Sequence, residues 1–408
     1  MNLFLLYIDP GTGSMLFSIL IGVVATLYFL GKAAFIKLKF ILTGKSAKGD
    51  TARYPYVIYC EGRQYWNVFK PVTDEFEKRG VDVVYFTSAE DDPVFEQNYQ
   101  HIKSEYIGAG NTAFARLNLL EADVVLMTTP GLDVYQLKRS KRVKHYSHVL
   151  HAPSDATLYR LFGLDYFNSV LLTGDFQAPD IRLLEQQRNL PEKELVTVGC
   201  SYLDVYKEKI GQLTPETVHQ FTVLVSPSWG TSGILNRFGE KLLDPLVKTG
   251  WRIIVRPHPQ SKKSEAPMLE RLTERYKDAE NLEWDYANDN IYSLSKADIM
   301  ISDFSGIVYD YIFLFNKPVI YVKAQFDLRP YDAYDLGHPL WQYETLEKIG
   351  VELREEEFDR IGEVIKSAGA STGLADARRE AKEAAWQHPG EAGKRIADFM
   401  IQKYEDSN

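Results

Sequence analysis

The sequence predicts an α/β protein with two Rossmann-like αβα halves facing a cleft, preceded by one membrane-spanning helix. Three observations predict it. Beyond about residue 52, short apolar runs alternate with amphipathic stretches in two successive sets, the pattern of βα units on mainly parallel sheets. A polar stretch holding Gly211 and Pro215 separates the sets. Residues 13–31 carry no charge, and a helix of that length spans a bilayer core of roughly 30 Å.

The N-terminal element comes first in order. The first twelve residues hold no Lys or Arg, whereas Lys32, Lys37, Lys39, Lys45, Lys48 and Arg53 follow the apolar run. A cleaved signal peptide has the opposite order. The positive-inside rule therefore places the N-terminus outside and everything after the span in the cytoplasm, at the plasma membrane. The expected organisation is a membrane anchor over 1–50, a first Rossmann-like domain over 51–210, a second over 216–350 and a helical tail over 351–408.

Strands are expected at Tyr56–Cys60, Val81–Phe86, Val124–Met127, Val149–Leu150, Val170–Leu172 and Leu195–Val198, with a helix from Asn67 to Gly80. Residues 207–216 read as a linker. The second set has strands at Phe221–Val225, Trp251–Val255, Ala297–Ile301 and Pro318–Val322. The charged, Ala-rich tail from Glu355 reads as helix.

Composition removes several function classes. A net charge of -9 argues against a general nucleic-acid binder. Two cysteines, Cys60 and Cys200, make neither a disulfide framework nor a zinc site. No Walker A, HExxH or GxSxG motif occurs, nor a DxD stretch, so neither a metal centre nor a cofactor is expected.

Ligands of open α/β sheets bind beyond the carboxyl ends of the strands, and four motifs stand there. Ser302-Asp303-Phe304-Ser305-Gly306 follows a buried strand and leads into a helix carrying Asp310. Ser302 or Asp303 is the expected N-cap, and such a helix start suits a phosphate. Arg256-Pro257-His258-Pro259 fixes a histidine between two prolines, with Arg256 as a phosphate partner. His151 follows a strand of the first half and would face His258 across the cleft; His148 is its competitor, three residues earlier. The hydroxyl-rich loop Ser226-Pro227-Ser228-Trp229 follows the first strand of the second half. A basic run, Lys138, Arg139, Lys141, Arg142 and Lys144, reads as a solvated loop or as a surface for a membrane or a phosphorylated lipid-linked acceptor.

These motifs resemble those of the bacterial CDP-glycerol glycerophosphotransferases, the teichoic-acid-type polymerases and primases. The family's HP motif is matched by His258-Pro259. Its S/T-D-[YF]-S-S segment, D-Y helix and K-P step are matched by Ser302 to Gly306, Asp310-Tyr311 and Lys317-Pro318. Its APTW loop is similar to Ser226 to Trp229, and its W-H-G motif is matched at the histidine by Leu150-His151-Ala152. Gly306 stands where the family has a second serine, and Pro153-Ser154-Asp155 replaces the residues usual after the histidine.

The resemblance implies a GT-B fold, a CDP-linked polyol donor with glycerol as the default, and a lipid-linked or polymer acceptor. It implies attack by an acceptor hydroxyl on the β-phosphate with CMP leaving. His151 is then the candidate base, and His258 with the Ser302–Gly306 turn holds the pyrophosphate. Two other readings stay open: a glycosyltransferase or nucleotide-sugar epimerase using a UDP-sugar, and a non-catalytic scaffold that keeps the fold.

Overall fold

The computed structural model describes residues 53–214, 219–287, 289–324 and 326–408, together with seven positions between 21 and 31. The chain divides into two units, Met1–Arg53 and Tyr54–Asn408. In the first, the described positions are helical, and Ile21, Val23, Val24, Leu27 and Tyr28 are exposed. Most of the expected span 13–31 lies outside the described residues. Among the described residues, no helix is long and apolar enough to cross a membrane.

The second unit contains two parallel sheets. The first has seven strands: β1 (Tyr54–Cys60), β2 (Val83–Thr87), β3 (Ile102–Tyr106), β4 (Ala122–Met127), β5 (Val143–Val149), β6 (Ser169–Leu172) and β7 (Glu194–Thr197). Their order is β3-β2-β1-β4-β5-β6-β7. The second has six: β8 (Thr222–Val225), β9 (Arg252–Val255), β10 (Leu282–Trp284), β11 (Ile299–Ser302), β12 (Val319–Tyr321) and β13 (Val351–Glu352). Their order is β10-β9-β8-β11-β12-β13. In each sheet the direction of strand addition reverses once, between β1 and β4 and between β8 and β11. Such reversals open a crevice at the carboxyl edge.

Burial on both faces explains the continuous apolar runs. Along β1, Tyr56, Ile58 and Cys60 enter one core layer while Val57 and Tyr59 enter the layer on the other face. The second sheet repeats this: Val223, Val225, Ile253, Val255, Ile299 and Ile301 share one layer, and Leu224, Ile254 and Met300 the other. That alternation is the two-residue period of a strand.

Five elements depart from the sequence expectation: β5 begins at Val143 rather than Val149, and β13, of two residues, was not expected. β3 is an edge strand of sequence IKSEY, mostly exposed, and too polar for an apolar-run rule to find. β10 has only three residues. The expected linker over 207–216 is in its first half helical, because the helix Ser201–Gly211 buries Leu203 and Val205.

The tail forms helices at Ile361–Ala370, Gly373–Ala385 and Ala392–Ser407. The last returns to the first sheet, where Ile396 and Met400 join Val72 and Phe76 of the helix Trp66–Arg79. Gly393 makes this approach possible: a Cβ there would lie 2.4 Å from the Pro71 carbonyl oxygen.

Candidate active site

The carboxyl edges of the two sheets face one another across a cavity of about 390 Å³. His151 and Ser154, after β5, line one wall, with Gln64, Tyr65 and Asn67 after β1. His258, after β9, lines the other, with Gly306 and Asp310 after β11. Tyr202 and Tyr206, on the helix Ser201–Gly211, complete the lining. No Lys or Arg is among these residues.

His151 is held from behind. Its Nδ1 lies 3.0 Å from Thr128 Oγ1, at the end of β4, and 3.2 Å from Tyr159 Oη. The Tyr65 ring meets it edge-on at 5.1 Å. These contacts leave Nε2 as the nitrogen available to the cavity. Burial pushes the imidazole pKa down to about 4, so the ring is neutral near pH 7.

His258 is held by its own loop. The Gln260 backbone N–H donates to its Nδ1 at 3.1 Å. In the neutral ring the proton then sits on Nε2, a donor. Burial lowers its pKa, and Glu265 opposes that in part. Trp229, 46% exposed, stands 6.4 Å from the imidazole ring without lining the cavity.

The turn after β11 divides its labour between fold and site. Asp303 is fully buried, its Oδ1 accepting from the Ser228 and Ser305 amides and its Oδ2 from the Ile234 amide. Ser302 donates to the Ser226 carbonyl at 2.6 Å. Both residues therefore bind the loop after β8 rather than a ligand. The helix starts later than the sequence indicates: Gly306 is its N-cap and Ile307 its first residue, with no side-chain cap. Asp310, one turn on, accepts a short hydrogen bond from the Tyr202 hydroxyl. Burial pushes its pKa up to about 8, so it is mostly a neutral acid at pH 7.

Arg256, assigned to phosphate from the sequence, is buried and spent. It donates to Asp285 Oδ2 at 2.5 Å and to the Ala287 carbonyl at 2.8 Å. Ser226 is buried, its hydroxyl 3.5 Å from the Arg256 carbonyl, and Ser305 is buried beneath the helix start. The basic run lies at the opposite edge of the first sheet, where β5 begins. Arg139 holds the Tyr166 carbonyl and Asn168, Arg142 pairs with Glu121, and Lys144 pairs with Asp123. Lys138 donates to the Asp133 carbonyl, and Lys141 is exposed. None of these cations reaches the cavity.

Residues 193–382 match the model of the CDP-glycerol:poly(glycerophosphate) glycerophosphotransferase family. The matched stretch spans the whole of the second sheet, β8 to β13. No curated protein matches the sequence. Among solved structures, the wall teichoic acid polymerase TagF soaked with CDPG is similar over 92% of this chain and 97% of its own, at 12% identity and a TM-score of 0.54. The UDP-GlcNAc 2-epimerase of Methanocaldococcus jannaschii, in complex with UDP-GlcNAc and UDP, covers 85% and 99% at 12% identity, TM-score 0.57. MnaA of S. aureus with UDP covers 87% and 98% at 15% identity, TM-score 0.57. These neighbours establish the two-domain GT-B architecture.

The cavity brings together His151, His258, Gly306 and Asp310 of the residues expected from the sequence. The sequence reading missed Thr128, Tyr159, Tyr65, Tyr202 and Tyr206. Thr128 directly follows β4 at the strand reversal, a signal that was available. The tyrosines had none, because a helix or loop tyrosine reads first as core.

Proposed function

We propose that this protein transfers a polyol phosphate, by default glycerol phosphate, from a CDP-linked donor to a hydroxyl of a lipid-linked or polymer acceptor, releasing CMP, at the cytoplasmic face of the plasma membrane. One observation carries the reading: a histidine from each half lines the same cavity, beside a helix start.

In the step envisaged, the acceptor oxygen attacks the β-phosphorus of the donor. The new O–P bond forms as the bond to the bridging oxygen breaks, and CMP departs with that oxygen. His151 Nε2 takes the acceptor's proton. His258 Nε2–H donates to a phosphoryl or bridging oxygen where charge grows. With no Lys or Arg lining the cavity among the described residues, the donor's charge is met by hydrogen-bond donors and by the positive end of the helix Ile307–Phe315. Membrane attachment is supported by the uncharged run 13–31 and the lysines after it.

The test uses the full chain in detergent with CDP-glycerol and a membrane lipid extract, following CMP. Wild-type release, reduced about a hundredfold or more in His151→Ala and His258→Ala, is expected. Absence of CMP, with nucleotide released from a UDP-sugar instead, would assign the cavity to sugar chemistry.

A further inference from the structure

The basic run over 138–144 takes no part in the cavity, and the segment that carries it departs from the usual build of a parallel sheet. A parallel crossover is usually a helix. One face of the first sheet is covered in that way, by the helices Trp66–Arg79 and Ala392–Ser407. On the other face the connections β4–β5 and β5–β6 cross as irregular chain, 128–142 and 150–168, with one short 3-10 turn at Ala156–Leu158. Their Leu132, Leu137, Leu164 and Phe167 point into the core.

The same segments turn large apolar groups outward. Tyr135 is 60% exposed and Phe162 and Tyr166 are 43% each, while Leu119, just before β4, is 58%. Hydrogen bonds join them into one surface: Asn118 donates to the Gln136 carbonyl at 3.0 Å, Arg142 to the Leu119 carbonyl at 2.8 Å and Arg139 to the Tyr166 carbonyl at 2.6 Å. Phe162 has φ 68°, a left-handed conformation that costs a bulky residue and that a glycine adopts freely. It is held there by Asp332, which accepts from the Phe162 and Gly163 amides.

Charge follows the same pattern. The two segments hold five Lys or Arg, at 138, 139, 141, 142 and 160, against three Asp, at 133, 155 and 165, in a chain whose net charge is -9. The carboxyls of Asp155 and Asp165 are buried, whereas Lys138, Lys141 and Arg160 are exposed. Aromatic rings interleaved with Lys and Arg suit a membrane interface, the rings at headgroup level and the cations on anionic headgroups. A soluble polyanion would meet the cations but leave the rings in water. The surface also begins at the cavity, since Thr128 and Tyr159 of these segments contact His151.

We propose that this face of the first sheet, through Tyr135, Phe162, Tyr166 and the cations around them, rests on the headgroups of an anionic bilayer. The contact is separate from the apolar run 13–31. On the reading of the cavity as a transferase site, it lets a lipid-linked acceptor reach His151 from the plane of the membrane.

The test uses the full chain in nanodiscs of phosphatidylcholine, with or without phosphatidylglycerol. Cys60 and Cys200 are buried, so a fluorophore can be placed on Gln136→Cys or, as a control, on Lys78→Cys of the helix that covers the opposite face; both positions are exposed. Quenching by lipids spin-labelled at the headgroup should be strong at 136 in the anionic discs, weaker there in the neutral discs, and weak at 78 in both. Lys138→Glu/Lys141→Glu/Arg160→Glu should abolish the quenching at 136 with Tm unchanged, since the three side chains are exposed.

Equal quenching at 136 and 78 would mean attachment without a docked face and would overturn the proposal. So would quenching at 136 that ignores phosphatidylglycerol or survives the triple substitution. No quenching at 136 in any disc would leave the cations to a soluble anion. Quenching as expected but without CMP release would count against the proposed reaction and leave the docked face standing.

Discussion

Asp310 is a carboxyl kept protonated by its surroundings, and that has a measurable consequence. Its pKa is pushed up to about 8 by burial, against about 3.9 in an unfolded chain. A carboxyl raised in the folded state contributes stability that is fully present below the unfolded value and is lost as pH rises through the folded one. The wild type should therefore lose thermal stability between about pH 4 and pH 8 through this group. Asp310→Asn cannot ionise, so its Tm should gain on the wild type across that window and keep that gain above it. Parallel Tm curves for the two proteins would show that the acid is already ionised at pH 7. Arg256 and Asp303 teach the complementary lesson at the same scale. Each has the chemistry of a ligand group, and each is spent on the fold by partners 29 and 75 residues away.

At the scale of the element, the helix Ile307–Phe315 begins at a glycine that the backbone does not require. Gly306 has φ -58°, ψ -22°, open to every residue, and a Cβ there would meet nothing within 4 Å. The space it leaves belongs to the cavity. Gly306→Val should leave Tm within a few degrees of the wild type while raising the donor KM about tenfold, since one branched side chain in a donor site costs ~1–3 kcal/mol. A fall in Tm with KM unchanged would make the glycine structural. Gly393 is the opposite case, since the Pro71 carbonyl already fills its Cβ position.

At the scale of the molecule, the cavity exists because the two sheets are tied together beside it. Asp155, four residues after His151, accepts from the Trp341 and Gln342 amides at 2.9 Å each, capping a helix of the second half from the first. Farther along, Arg188 pairs with Asp165 at 2.8 Å, Asp332 at 2.7 Å and Asp335 at 2.8 Å. Asp332 also accepts from the Phe162 and Gly163 amides. Removing the cation leaves Asp165 and Asp332, both nearly buried, without their counter-charge. Arg188→Ala should cost about 3 kcal/mol or more in denaturant unfolding, with a larger radius of gyration in solution scattering as the halves separate. An unchanged radius with lowered stability would place the rigidity of the seam in Asp155 and the returning tail instead.

The sequence by itself determined the βα alternation, the two sheets, and the strand ends that carry His151, His258, Gly306 and Asp310. Those features follow from local rules: strands buried on both faces read as apolar runs, and chain punctuation by Gly and Pro marks where they stop. β3, β10 and β13 escaped because an exposed edge strand and strands of two or three residues carry too little apolar pattern. Only the tertiary structure decided which polar residues at those strand ends are free for chemistry. Arg256, Ser302 and Asp303 sit in the same motifs as His258 and Gly306, yet a buried polar group must find a partner, and theirs come from distant strands and loops. The same rule gives His151 its Tyr159 and Thr128, contacts set by the folding of β4 and β5 side by side, which no local pattern encodes.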